Sequence, residues 1–111
     1  MVHSSASDRR EHRRYLVEGK AVVTAASGRF AAQLVDVGKG GVLLLAPSNA
    51  VTVGEQIKVR FAIAGYPVEI EAHGRVARTD THAVGIAFAE VPAEFDEAIL
   101  WLEAGFMAAL F

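Results

Sequence analysis

A period of two runs through the middle of this chain. Residues 56–63 read Gln-Ile-Lys-Val-Arg-Phe-Ala-Ile, with Ile57, Val59, Phe61 and Ile63 alternating with Gln56, Lys58, Arg60 and Ala62. Such alternation buries one face of a strand and wets the other. The rhythm returns in Val17, Ala21 and Val23, and again in Val68, Ile70 and Ala72 against Glu69, Glu71 and His73. Phe30–Val35, Val42–Leu45 and Val84–Phe88 are further apolar runs of strand length, and Val42–Leu45 is short enough to be buried on both faces. Turn chemistry separates them at Ser27-Gly28, Asp36–Gly41, Pro47–Asn49, Gly65–Pro67 and Thr79–His82. About six short strands at regular spacing predict a small antiparallel β-barrel.

The period changes after Pro92. Phe95, Ile99, Leu102, Phe106 and Leu110 recur at steps of three and four, the stripe of an amphipathic helix. Pro92 suits a first turn, and Glu94, Asp96 and Glu97 complement the helix dipole. The expected helix covers about 93–109 and packs on the barrel. Trp101 and Met107 lie off its main stripe.

The chain has 111 residues, 52% of them hydrophobic, which supplies one core and one domain. It has no cysteine, which excludes disulfides, zinc-thiolate sites and thiol nucleophiles. No apolar run reaches the roughly 18 residues of a membrane span, and no signal-peptide core opens the chain, so a cytoplasmic protein without membrane association is expected. His3, His12, His73 and His82 show no metal-ligand spacing, and no G-x-S-x-G, Walker A or H-E-x-x-H motif occurs. A non-enzyme without a cofactor is the expectation.

The net charge of −2 conceals a gradient. Residues 1–20 carry Arg9, Arg10, Arg13, Arg14 and Lys20 against Asp8, Glu11 and Glu18. Residues 90–111 carry Glu90, Glu94, Asp96, Glu97 and Glu103 with no Lys or Arg. A basic head and an acidic tail suggest that the head meets an anion. Residues 1–14 read as a flexible basic arm, and residues 15–111 as the barrel with its helix.

Two motifs carry chemistry. Arg10-Glu11-His12-Arg13-Arg14 is an R-x-x-x-R preceded by Arg9. Guanidinium forks bind phosphate bidentately and stack on flat rings, and two of them four residues apart in extended chain lie about 13 Å apart. Asp36-Val37-Gly38-Lys39-Gly40-Gly41 sets a carboxylate beside open backbone. One carboxylate can accept from both N–H groups on a guanine edge. Gly41 admits either a positive φ or a close approach.

In this order the motifs resemble those of the PilZ domain family, which binds cyclic di-GMP through R-x-x-x-R and a later [D/N]-x-S-x-x-G. Arg10 and Arg14 match the first motif, and Asp36 and Gly41 match the ends of the second. The flanks Arg14–Val17, Gly40–Leu44, Gly74–Arg78 and Val84–Phe88 are similar too. The resemblance implies a six-stranded split barrel with Arg10 and Arg14 gripping phosphates and guanine faces, Asp36 reading the guanine edge, and Gly38 and Gly41 shaping the turn. Arg9 directly before the motif implies an intercalated ligand pair, and Arg13 is a helper charge. Gly38 stands where the family has serine. One lost neutral hydrogen bond costs about 0.5–1.5 kcal/mol, or roughly two- to tenfold in affinity.

The implied function is a cyclic di-GMP receptor, its oligomeric state open with a monomer slightly favoured, that orders its arm on binding and signals to an unidentified downstream protein in motility, exopolysaccharide or pilus control. Two other readings compete. One is a PilZ-like adaptor that has lost the nucleotide. The other is a barrel for single-stranded nucleic acid, which the acidic balance and 8% aromatic content disfavour.

Overall fold

The computed structural model describes residues 13–108. Seven strands are present: β1 (Arg14–Leu16), β2 (Gly19–Ala25), β3 (Gly28–Gly38), β4 (Gly41–Leu45), β5 (Gln56–Ile63), β6 (Ile70–Asp80) and β7 (Ala83–Glu90). One helix, α1 (Glu94–Ala108), follows. All pairings are antiparallel, in the order β3-β2-β5-β6-β7-β4, and β4 pairs back onto β3. Closure of that ring makes a six-stranded barrel with no free edge among its members. The short β1 is an added piece on β3.

β1 and β2 are one strand interrupted by a bulge. Leu16 faces Asp36 and Lys20 faces Gln33, so four steps on one side match three on the other. The extra residue sits at Glu18–Gly19, where the chain crosses beside the end of β5. A Cβ on Gly19 would stand 2.0 Å from the Ala62 carbonyl oxygen, so only glycine fits this crossing.

The core lies inside the barrel. Val23, Val37, Leu44, Val59, Phe61, Val76 and Val84 are almost fully buried, and all come from strands. α1 closes one end with Phe95, Ala98 and Ile99. Phe95 meets Phe61 and Phe88 edge-on, with ring centroids 6.1 and 5.3 Å apart. Such pairs add about 0.5–1.5 kcal/mol each beyond area burial. The stripe expected for the helix is therefore real as far as Leu102. Phe106 is half-exposed, its ring edge-on to Tyr15 with centroids 6.4 Å apart, and Leu110 lies outside the described residues.

β4 differs from its expected burial. Val42 and Leu44 point inward, but Leu45 is exposed, so this strand has one wet face. Val68, expected in a strand, is exposed ahead of β6, which runs on to Asp80 and through the stretch expected to turn. The turn itself is Thr81–His82. No helix among the described residues is long and apolar enough to cross a membrane.

Candidate functional site

Two bulges decide which way the polar groups point. Along β3, Phe30, Ala32 and Leu34 turn inward in period two. Continuing that phase would put Asp36 in the core. Against β4, however, the register slips between Leu34 and Asp36, which leaves Val35 as an extra residue. The phase flips there. Val37 becomes fully buried and Asp36 turns to the outer surface. β6 repeats the device. Ile70, Ala72, Gly74 and Val76 are buried, then the register against β7 slips between Val76 and Arg78, and Arg78 emerges exposed.

The two re-aimed residues flank the β4–β7 pair. Gly40 and Gly41 from β4 and its turn, with Gly85 and Ala87 from β7, form the floor of a shallow groove of about 430 Å³. Asp36 and Arg14 line it on the β3 side and Arg78 on the β6 side. Gly85 leaves room for the Arg78 side chain: a Cβ there would lie 3.0 Å from Arg78 Cγ and 3.1 Å from Nε. The floor thus carries only glycines and apolar side chains, Leu43 and Ala87 among them, between two guanidinium groups.

Arg14 and Asp36 meet across 22 positions of sequence. Arg14 Nε donates to Asp36 Oδ1 at 2.9 Å, and Nη2 donates to the same oxygen. Among the described residues, no donor reaches Oδ2. The Asp36 side chain keeps only 18% of its surface exposed, whereas Arg14 keeps 44%. The carboxylate is therefore held and the guanidinium retains free donors. A half-exposed pair of this type contributes on the order of 1 kcal/mol or less.

Gly38 lies opposite Arg14 in the β1–β3 register. A Cβ there would be 2.8 Å from the Arg13 carbonyl oxygen and 3.2 Å from Arg14 Cδ. Arg14 covers the place where the family's serine would project. Gly41 has no positive φ. Its need is close approach, since a Cβ would stand 2.0 Å from the Ile86 carbonyl oxygen. The approaching group is strand β7, which makes the other half of the groove floor.

Arg13 lies elsewhere, its guanidinium carbon 5.1 Å from the Phe106 ring centroid. This stacking ties the root of the arm to α1 and is worth about 0.5–1 kcal/mol at an exposed site. Arg9 and Arg10 lie outside the described residues. Of the expected site, the structure therefore brings Arg14, Asp36, Gly38 and Gly41 together. Arg78 was not singled out from sequence, because an arginine late in an alternating strand gives no sign of the bulge that exposes it.

A family model for the PilZ domain matches residues 8–103. The chain belongs to the PilZ domain family. Similar solved structures agree on the barrel. The Bacillus subtilis inhibitor of motility MotI/DgrA superposes with a TM-score of 0.71 at 15% identity, over 92% of this chain and 52% of that one. The PilZ domain of CeSA from a cellulose-synthesizing bacterium gives 0.64 at 15% identity, over 86% and 98%. The Borreliella burgdorferi PlzA protein, in complex with c-di-GMP, gives 0.59 at 20% identity, over 83% and 40%. This PilZ chain spans about half the length of the motility inhibitor. No curated protein matches its sequence.

Proposed function

We propose that this PilZ domain is a cyclic di-GMP receptor that passes its signal to a separate protein, and that it is not an enzyme. The meeting of Arg14 and Asp36 at the edge of a glycine-floored groove carries this reading. A guanine needs an acceptor for its N1–H and N2–H, and Asp36 Oδ2 is available for that edge. Its phosphates need cations, and Arg14 and Arg78 stand on opposite sides of the floor. Arg9 and Arg10 complete the clamp from residues 1–14, with Arg13 as helper, and residues 15–111 form the platform. With Arg9 ahead of the motif, two nucleotides bind per domain. The PlzA complex supports the ligand class, since that protein, which shares this fold over 40% of its length, is in complex with c-di-GMP.

The arm is the proposed output. Arg13 and Arg14 already rest on Phe106 and Asp36, with β1 paired to β3; phosphate neutralises the arginines ahead of them, so binding orders the remainder of residues 8–15 against the barrel. Amide exchange of these residues should slow at saturating cyclic di-GMP. Unchanged exchange would refute the ordering step.

A second reading has its own observation. With glycine at position 38, Arg14 fills the space of the family's serine, and the Arg14–Asp36 pair satisfies itself. A protein-contact adaptor without nucleotide would look the same. Calorimetry with cyclic di-GMP on the wild type, Arg10→Ala and Asp36→Ala separates the two. Binding whose affinity both substitutions reduce by about tenfold or more supports the receptor, about what a charged hydrogen bond supplies. No heat from wild type at about ten times a micromolar concentration would leave the adaptor.

A further inference from the structure

We propose that the outer face of strands β3, β2, β5 and β6 docks an acidic helix of a partner protein. This deepens the receptor reading and rests on it only in supposing that a partner exists.

The cations of the chain are unevenly placed. It has 11 Lys and Arg residues. Arg9, Arg10, Arg13 and Arg14 belong to the arm and its root, Lys39 to the turn between β3 and β4, and Arg78 to the groove. All the others, Lys20, Arg29, Lys58, Arg60 and Arg75, lie on this one face. Each takes the outward phase of its strand, opposite the positions that fill the core.

Register brings them together. Thr24 sits between Arg29 and Lys58, and Val22 between Ala31 and Arg60. Lys20 follows Val22 in the same phase of β2, and Arg75 pairs with Gln56, the neighbour of Lys58 in the same phase of β5. With strand and residue spacings of ordinary sheet, the patch is about 14 Å across the strands and about 20 Å along them. Carboxylates answer only part of this charge. Glu71 lies 3.6 Å from Lys58 Nζ and 3.6 Å from Arg60 Nε. Among the described residues, Lys20, Arg29 and Arg75 form no ion pair. Like charges crowded on one sheet face repel, and an acidic partner relieves that cost.

The centre of the patch selects the occupant. Val22 is 38% exposed, and Ala31, Thr24 and Ala62 surround it, so the middle is low and uncharged. An uncharged centre inside an arginine-bearing rim is the anatomy of a protein interface. A phosphate backbone gains nothing from such a centre, and no aromatic side chain takes the outward phase of these strands to stack a base. β2 and β5 have both edges paired, so a strand cannot be added. A helix about 10–12 Å wide fits the patch. Small or apolar residues on its underside meet Val22 and Ala31, and Glu or Asp on its flanks reach the cations. β2 and β5 are also the strands farthest round the ring from β4 and β7, so the docked helix leaves the nucleotide groove open.

A phage library of a stable three-helix scaffold, randomised on one helix face and panned against the full chain biotinylated at its C-terminus, tests this. The proposal expects selected helices with Glu or Asp on both sides of a stripe of small or apolar residues. Purified binders should lose at least about tenfold in affinity against Lys58→Glu/Arg60→Glu and against Arg29→Glu, and should weaken as salt is raised. Near-ultraviolet circular dichroism checks that both variants fold. Neutral or basic binders, binders that hold both variants as tightly as the wild type, or no binders at all would overturn it. So would a short DNA duplex bound more tightly than these helices and lost on the same reversals, since nucleic acid would then be the occupant. A dimer in sedimentation velocity that the reversals make monomeric would overturn it in favour of a second copy. Both variants should keep the wild-type affinity for cyclic di-GMP. Helix capture as expected, with no cyclic di-GMP binding by the wild type, would remove the nucleotide and keep the docking face.

Discussion

Gly41→Ala is the sharpest test of how the groove floor is built. The new Cβ would sit 2.0 Å from the Ile86 carbonyl oxygen, with the Ile86 carbonyl carbon at 3.1 Å and Ala87 Cα at 3.3 Å. All three are backbone atoms, so no side chain can swing away. Bringing the shortest contact to an ordinary separation moves β4 and β7 apart by about 1 Å, which takes a hydrogen bond of normal length beyond its useful range. The local bond from Phe88 N–H to the Gly40 oxygen, 2.8 Å, and its neighbour in the ladder are the ones exposed to this. Leaving two buried backbone groups poorly paired costs about 1–3 kcal/mol each. A loss of about 3 kcal/mol lowers the melting temperature by roughly 12 °C or more for a domain of this size. Gly105→Ala is the control. It lies within α1 with nothing within 4 Å of its added Cβ, and it should gain about 0.5–1 kcal/mol from helix propensity. Thermal melts followed by far-ultraviolet circular dichroism read both. A Gly41→Ala protein melting within about 4 °C of wild type would refute the packing argument, since that is the shift expected for only about 1 kcal/mol. It would return Gly41 to a role in ligand approach.

Other expectations follow from the same geometry. Arg78→Ala should weaken cyclic di-GMP binding by about tenfold or more, the range of a charged hydrogen bond, with little change in melting; unaltered calorimetry would take Arg78 out of the site. Gly38→Ser should tighten binding by roughly two- to tenfold through the added hydroxyl, with β1 shifting to relieve the 2.8 Å contact of the new Cβ with the Arg13 carbonyl oxygen. A weaker complex would show that the Arg14 position seen here is the binding-competent one. Phe95→Ala should cost about 3–5 kcal/mol in urea denaturation, since it removes a ring that is 1% exposed and packed on two others; a loss under about 1 kcal/mol would mean that the helix is not anchored there.

Strand β5 was legible to the residue, because Ile57 to Ile63 alternate without a break and nothing nearby competes with that period. The helix was equally plain from Pro92 onward. Leu45 misled, since a run of three leucines reads as buried on both faces when only position identifies the last as solvent-facing. The separate β1 was invisible for another reason: three residues, Arg14 to Leu16, carry too little pattern to announce a strand. At the site, Asp36 and Arg14 could be named from their motifs. Their contact could not, since it depends on β1 lying across β3 opposite Gly38. Arg78 is the instructive omission. Its neighbours Gly74 and Val76 place it in the inward phase, and the residue that reverses the phase is an alanine with nothing to mark it.

Val35 and Ala77 have a consequence for how this protein can be altered. Neither side chain need do anything specific; each contributes one extra link to a strand. A scan of point substitutions at these two positions would register little and would count them as tolerant. Removing either residue instead should leave a regular strand, Leu34 in and Asp36 out or Val76 in and Arg78 out, so the site keeps its outward face and only the local bulge is lost. Each bulge therefore absorbs one residue so that the next can face outward, and the change to which the groove is vulnerable is one that draws Val35 or Ala77 into the ladder, which would send Asp36 or Arg78 inward.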